Sequence, residues 1–178
     1  KRRAIVKRLA HHVMFQINAV TAVTPGALVA LVLLSHGTRG VSLEELEQHC
    51  RRLTDRLLKA GARVTPSLRP PGSDRTTSHG IREVLRIYLR GSLVEQHVPG
   101  DTLTAKQRRE RLHVSSDVIF TVPSDKRMRL DIAKNHIVHF LVARSLVAVA
   151  LLSRGQQGQT GPVIAVAPLR TAVQSLSR

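Results

Sequence analysis

The first third of the chain carries two apolar patterns, each typical of a different helix. In the first, apolar residues stand four positions apart, at Ile5, Leu9, Val13 and Ile17. This spacing predicts an amphipathic helix with one apolar side. The second is an unbroken apolar run from Ala27 to Leu34, preceded by Thr24-Pro25, which is typical of an N-cap followed by the first helical turn. A helix that is apolar on every side is expected to be buried.

A third helix is predicted between Ser42 and Gly61. Ser42-Leu-Glu-Glu45 has the pattern of a capping box, in which hydroxyl and carboxylate each accept a hydrogen bond from a free backbone N–H. Apolar residues then follow in steps of three and four, at Leu43, Leu46, Cys50, Leu53 and Leu57. Residues 64–79 are rich in Pro, Ser, Thr, Gly and Arg, which predicts a loop or hinge before a shorter helix from Gly80 to about Arg90.

The second half of the chain combines strand patterns with a long helix. Residues 92–98 and 118–122 predict a hairpin around the charged stretch Lys106–Arg111. From Leu130 to Leu152 the pattern is helical and becomes apolar on nearly every face, so its far half should be covered by other protein or by lipid. Residues 155–178 are predicted to be a flexible connection and the start of a truncated C-terminal element.

Together these elements predict a mainly α fold with a small β-hairpin (α+β). We expect residues 1–154 to form one helical domain, with its loop or hinge at about 64–79. The order of elements in its middle is also compatible with a winged helix-turn-helix. The longest uninterrupted apolar run, Ala27–Leu34, is far shorter than the roughly 20 residues that cross a bilayer, so no transmembrane segment is expected.

The charge of the chain is strongly positive. Lys and Arg number 28 against 12 Asp and Glu, a formal net charge of +16. This charge favours an anionic partner such as nucleic acid, an acidic membrane surface or a substrate phosphate. Aromatic residues make up only 2%, which weakens any function based on stacking bases, and the single Cys50 excludes an internal disulfide. Because the chain begins Lys1-Arg2-Arg3 without Met, we expect it to be a segment of a longer protein.

No complete catalytic or metal-binding set of residues is evident in the sequence. His136 and His139 are three apart on the predicted long helix, but no third ligand is spaced to join them. Cys50 lies on the apolar side of its helix, where burial raises the pKa of a thiol, so a core role is favoured over a nucleophile. We therefore predict no catalytic, cofactor-binding or metal-binding residue in this segment, and no cofactor.

Two basic clusters supply the candidate binding residues, which are Lys1, Arg2, Arg3, Lys7, Arg8, Lys106, Arg108, Arg109 and Arg111. Such clusters are usually solvated faces. Beside apolar helices they also fit contact with anionic lipid, where each nearby cation contributes on the order of 1 kcal/mol. Binding to nucleic acid is the alternative. It is less favoured because Glu44, Glu45 and Glu47 make the start of the 42–61 helix acidic, where a recognition helix would read bases.

Three ordered stretches carry a family resemblance. They are Met14-Phe-Gln-Ile-Asn18 followed by Val23-Thr-Pro-Gly-Ala-Leu-Val-Ala-Leu-Val-Leu-Leu34, the helix from Ser42 to Gly61, and Leu130-Asp-Ile-Ala-Lys-Asn-His-Ile-Val-His-Phe-Leu141. From about Leu9 to Leu152 the chain resembles the region behind the catalytic domain in bacterial glycerol-3-phosphate 1-O-acyltransferases of the membrane-bound, long-chain type. The third stretch is similar to that family's tyrosine-rich segment, with Ile132-Ala133 in place of the paired tyrosines.

The resemblance implies an enzyme that transfers a fatty acyl group from acyl-CoA or acyl carrier protein to the 1-hydroxyl of sn-glycerol 3-phosphate. The product is lysophosphatidic acid for phospholipid synthesis. In the family's catalytic motif an Asp follows five positions after a His that acts as general base. No His of this chain has such an Asp, and the family's glycerophosphate-binding motifs are also missing, so no functional residue is carried over.

The resemblance thus implies a C-terminal helical domain that follows the catalytic domain and is inactive alone. Its expected partners are its own upstream catalytic domain and an anionic membrane surface, with no nucleic acid. The expected location is peripheral, on the cytoplasmic face of the inner (cell) membrane. A pure scaffold is a further alternative.

Overall fold

The computed structural model describes residues 2–37, 39–100, 104–110, 112 and 117–156. The order of its elements is α1 (Arg2–Val20), β1 (Ala22–Val23), α2 (Pro25–Ser35), β2 (Val41–Ser42), α3 (Leu43–Lys59), β3 (Arg63–Val64), α4 (Ser78–Arg90), β4 (Glu95–His97), α5 (Ala105–Glu110), β5 (Ile119–Thr121), a 3₁₀ turn (Ser124–Lys126) and α6 (Arg127–Gln156). The predicted mainly α fold with a small β part is confirmed.

Helix α2 lies at the centre of the first compact unit, Lys1–Ile137. It packs against α3 and α4, and its buried residues are Ala27, Leu28, Val29, Ala30, Val32 and Leu33. The hydroxyl of Thr24 accepts a hydrogen bond from the Ala27 N–H at 3.3 Å, which caps the helix. The prediction of a capped, buried helix is therefore confirmed.

The predicted capping box begins α3. The Ser42 hydroxyl accepts from the Glu45 N–H at 3.2 Å, and a Glu45 carboxylate oxygen accepts from the Ser42 N–H at 3.1 Å. Two otherwise free backbone donors are thereby satisfied. The apolar side of α3 then enters the core through Leu43, Leu46, Cys50 and Leu57.

Three short strands form an antiparallel sheet, with β5 between β2 and β4. Strands β4 and β5 are the predicted hairpin, which has α5 in its connection. The third strand, β2, was not predicted, because two residues are too few to show an alternating pattern. Gly40, at φ 73°, precedes β2, and a Cβ there would overlap the side chains of Ile119 and Thr121, so only glycine lets the chain pass this close to β5.

A separate parallel pair joins β1 to β3, with Val23 opposite Val64. The sequence did not predict this pair, again because each strand is two residues long. The segment predicted as a loop or hinge follows β3. It is a loop held to the core by Leu68, which is fully buried and whose carbonyl accepts from the Thr77 N–H at 2.8 Å.

The middle of the chain has the winged-helix order that the sequence made possible. Its elements follow as α2, β2, α3, α4, β4 and β5, and β5 is central in the sheet. In that order α4, rather than α3, takes the place of a recognition helix. Residues 60–77 join α3 to α4. This connection is much longer than the three- or four-residue turn of a helix-turn-helix, so α3 and α4 do not form that motif.

Helix α6 begins in the first unit and continues into the second, Val138–Arg178. Its first turns are anchored by Arg127, which donates to the carbonyl of Gly37 at 3.1 Å beyond the C-terminal end of α2. The stretch Ser124–Leu152 is long and apolar enough to cross a membrane, with a mean hydropathy of 1.6 over 18 residues. The expectation of no transmembrane segment considered only uninterrupted apolar runs, whereas this helix meets the limit by its overall length and composition.

Helix α6 runs to Gln156, two residues past the boundary predicted at 154. The remainder of the predicted connection and C-terminal element, residues 157–178, lies outside the described residues.

Candidate functional site

Helix α1 has an apolar side that the described structure leaves uncovered. None of its residues is buried. Its exposed apolar residues are Ile5, Val6, Leu9, Val13, Met14, Phe15, Ile17 and Val20. With 100° between successive residues, all of these except Met14 and Phe15 fall on one side of the helix. The predicted amphipathic helix is therefore present, and its apolar side is open for binding.

Four of the predicted cations lie on the same helix. Arg2, Arg3, Lys7 and Arg8 are all exposed, and Arg2–Val20 contains no Asp or Glu. Lys7 and Arg8 fall on the side opposite the apolar stripe, by the same helical geometry. Lys1 lies outside the described residues. The helix therefore has one apolar side and a positive electrostatic potential, because none of its own residues is acidic.

The second basic cluster is in the connection between β4 and β5. Lys106 is exposed on α5, the backbones of Arg108 and Arg109 belong to the same short helix, and Arg111 lies outside the described residues. The two predicted clusters therefore belong to separate elements of the chain.

A buried carboxylate joins α3 to α4. One oxygen of Glu47 accepts from the Arg82 Nε at 2.7 Å, and the other accepts from the Arg51 Nη2 at 3.0 Å and the Ser78 hydroxyl at 2.7 Å. Glu47 itself is only 7% exposed. The sequence predicts an acidic start of α3 at Glu44, Glu45 and Glu47, but the structure buries Glu47. The sequence signal for this burial is the position of Glu47 beside Leu46 and Cys50, on the apolar side of α3.

A cleft of about 380 Å³ lies beside this cluster, lined by Arg51, Asp55, Asp74, Arg75 and Thr76. Its two guanidinium groups and two carboxylates cancel in charge, so it favours neither an anion nor a cation. Asp74 is in addition paired with Arg69 at 2.7 Å. The cleft is polar, but its lining contains no nucleophile oriented by a base.

The remaining candidate residues have structural roles. Burial, with a smaller contribution from the charge of Glu47, raises the pKa of Cys50 to about 12, and the residue is fully buried. The predicted core role of Cys50 is confirmed. The His36 and His49 rings meet edge to face with centroids 5.0 Å apart. Within the described part of the chain, no group of three or more His, Cys, Asp or Glu residues is arranged to hold a metal ion.

Comparison with known proteins identifies the family. A family model described as the glycerol-3-phosphate acyltransferase C-terminal region matches residues 1–178, the whole chain. No curated protein sequence and no solved structure matches. The nucleic-acid alternative gains no support from these comparisons, and two cations of α4 are already engaged, since Arg82 binds Glu47 and Arg86 binds Glu83. The chain therefore belongs to the family of glycerol-3-phosphate acyltransferase C-terminal regions.

Proposed function

We propose that this chain is the non-catalytic part of an enzyme that acylates the 1-hydroxyl of sn-glycerol 3-phosphate, and that it holds this enzyme on an anionic membrane surface. The acyl donor is acyl-CoA or acyl carrier protein, and the product is lysophosphatidic acid. Family membership supports the reaction. The observation that supports the membrane role is α1, an exposed helix with an apolar stripe, four cations and no acidic residue.

Such a helix fits the interface of a bilayer. Its apolar side enters the boundary between headgroups and acyl chains, and its cations approach anionic headgroups. Lys7 and Arg8 sit opposite the stripe and remain at the level of the headgroups, while Arg2 and Arg3 extend the positive charge at the N-terminal end. The four cations together contribute about 4 kcal/mol at a surface rich in anionic lipid.

The product of the reaction also favours a location of the enzyme at the membrane. Lysophosphatidic acid carries an acyl chain and a phosphate, so it enters a bilayer as it forms. An enzyme held peripherally on the cytoplasmic face of the inner membrane delivers this product directly to the lipid. In this account the region supports the catalytic domain by placing it at the bilayer, and it contributes no catalytic residue.

Vesicle flotation tests the proposal. The double variant Lys7→Gln/Arg8→Gln removes two cations of α1, which should weaken binding to vesicles containing anionic phospholipid by about 2 kcal/mol, or about 30-fold. The matched control is Arg52→Gln/Arg56→Gln, which removes two exposed cations of α3 and should change the affinity only a few-fold. Equal flotation with neutral and anionic vesicles, or with neither, would contradict the proposal.

A further inference from the structure

The second half of α6 exposes apolar side chains on opposite sides of the helix. These are Val142, Val147, Val149, Leu151 and Leu152. With 100° between successive residues, Val142 and Val149 lie on one side, while Val147 and Leu151 lie on the opposite side. Leu152 lies between them on one flank, and Ala150, which is fully buried, lies between them on the other. This surface differs from that of α1, which is apolar along one side only.

This segment also contains almost no charged residues. Between Val138 and Leu152 the only Lys, Arg, Asp or Glu is Arg144. Only 11% of the apolar window in Ser124–Leu152 is buried. Cations stand on both sides of the segment in the sequence, with Arg154 after it and Lys134, which pairs with Asp131 at 2.6 Å, before it.

These features favour lipid over a protein partner. A single protein partner covers one face of a helix and leaves the opposite face in water, where apolar side chains are unfavourable. Lipid hydrocarbon surrounds a helix on every side, and cations at the ends of an apolar segment match anionic headgroups. Arg144 has a long side chain whose charged end can extend toward the headgroups.

We infer that Val138–Leu152 is embedded in the hydrocarbon of the bilayer whose surface binds α1. The inference rests on the proposed membrane role, but it assigns a different contact to a different helix and makes the attachment deeper than the peripheral one through α1 alone. Contact through α1 is electrostatic and weakens as salt rises, whereas contact through α6 is hydrophobic and persists in high salt.

Tryptophan reporters test the inference, because the chain contains no Trp. Val149→Trp places a single reporter in the segment, and Val142→Trp is a second one in case the first disturbs folding. Ile87→Trp, at an exposed position of α4, is the control. Each 178-residue variant is bound to vesicles of anionic phosphatidylglycerol and phosphatidylcholine, with or without bromine on the acyl chains.

The reporters in α6 should shift to shorter wavelength on binding and lose most of their emission to brominated chains, while Ile87→Trp keeps its emission. Vesicle-bound protein in which the α6 reporters are quenched no more than the control would overturn the inference and leave the proposed function standing. A short-wavelength emission already present without vesicles would also overturn it, in favour of a second copy covering the helix. Equal binding and quenching in vesicles of phosphatidylcholine alone and in the anionic vesicles would support insertion while contradicting the electrostatic role of α1.

Discussion

Replacing Glu47 by Gln should weaken the junction between α3 and α4. Both carboxylate oxygens accept hydrogen bonds, from Arg82 on one side and from Arg51 and Ser78 on the other. Glutamine keeps the size of the side chain but removes its charge and replaces one acceptor oxygen with an NH₂ donor. That donor then faces other donors, and two guanidinium groups lose their counter-charge.

The expected cost follows from the exposure of the partners. Removing one member of a fully buried ion pair costs about 3–5 kcal/mol. Glu47 has a side chain only 9% exposed, but those of Arg51 and Arg82 are 50% and 39% exposed, so water solvates part of their charge. We therefore expect Glu47→Gln to lower the free energy of unfolding by about 1.5–3 kcal/mol.

Urea unfolding followed by far-ultraviolet circular dichroism measures this change. The matched control is Glu44→Gln, which makes the same change of charge at an exposed position in the first turn of α3. Its cost should be below about 1 kcal/mol, from the lost attraction between a carboxylate and the positive end of the helix dipole. If both variants unfold at the same urea concentration, the hydrogen bonds and ion pairs of Glu47 do not stabilise the junction between α3 and α4.

Three further predictions concern the same unit. Tyr88→Phe removes the hydroxyl that donates to the Gly26 carbonyl at 3.0 Å, and should lower the free energy of unfolding by about 0.5–1.5 kcal/mol in the urea assay; an unchanged value would argue against this bond. Cys50 should react with a thiol reagent only as fast as the protein opens, because it is fully buried and its pKa is about 12; fast labelling of the native protein would refute this. Hydrogen bonds from the Ser42 N–H and then its hydroxyl lower the pKa of Glu45, so the capping box stabilises the fold above that carboxyl's ordinary pKa and loses its effect as pH falls through the lowered value. Ser42→Ala should therefore raise the pKa of Glu45 in an NMR titration, and an unmoved titration would contradict the box.

The helices could be predicted because each carries its own local signals. Thr24 and Pro25 mark the start of α2, and Ser42 with Glu45 marks the start of α3, all by contacts within one helical turn. Helical periodicity likewise revealed the amphipathic pattern of α1. It did not reveal that the apolar side of α1 is uncovered, because periodicity describes one element and contains no information about its neighbours.

The remaining features depend on residues far apart in the chain. Glu47 meets Ser78 and Arg82 across separations of 31 and 35 residues, so these partners could not be predicted from the residues next to it. Strand β2 exists because β5 supplies its hydrogen-bond partners, and two residues carry too little pattern to reveal it alone. The cleft beside Arg51 also depends on distant contacts, because it forms only when the loop before α4 returns to α3.

The most direct test of the membrane role is acyl transfer by the full-length enzyme that contains this region. Formation of lysophosphatidic acid from sn-glycerol 3-phosphate is measured for the unmodified enzyme and for Lys7→Gln/Arg8→Gln, on anionic vesicles and in detergent micelles. Our account predicts a lower rate for the variant on vesicles and an unchanged rate in detergent, because these side chains bind lipid headgroups and not substrate. Equal rates of the two enzymes on vesicles, or the same loss of rate in detergent, would contradict it.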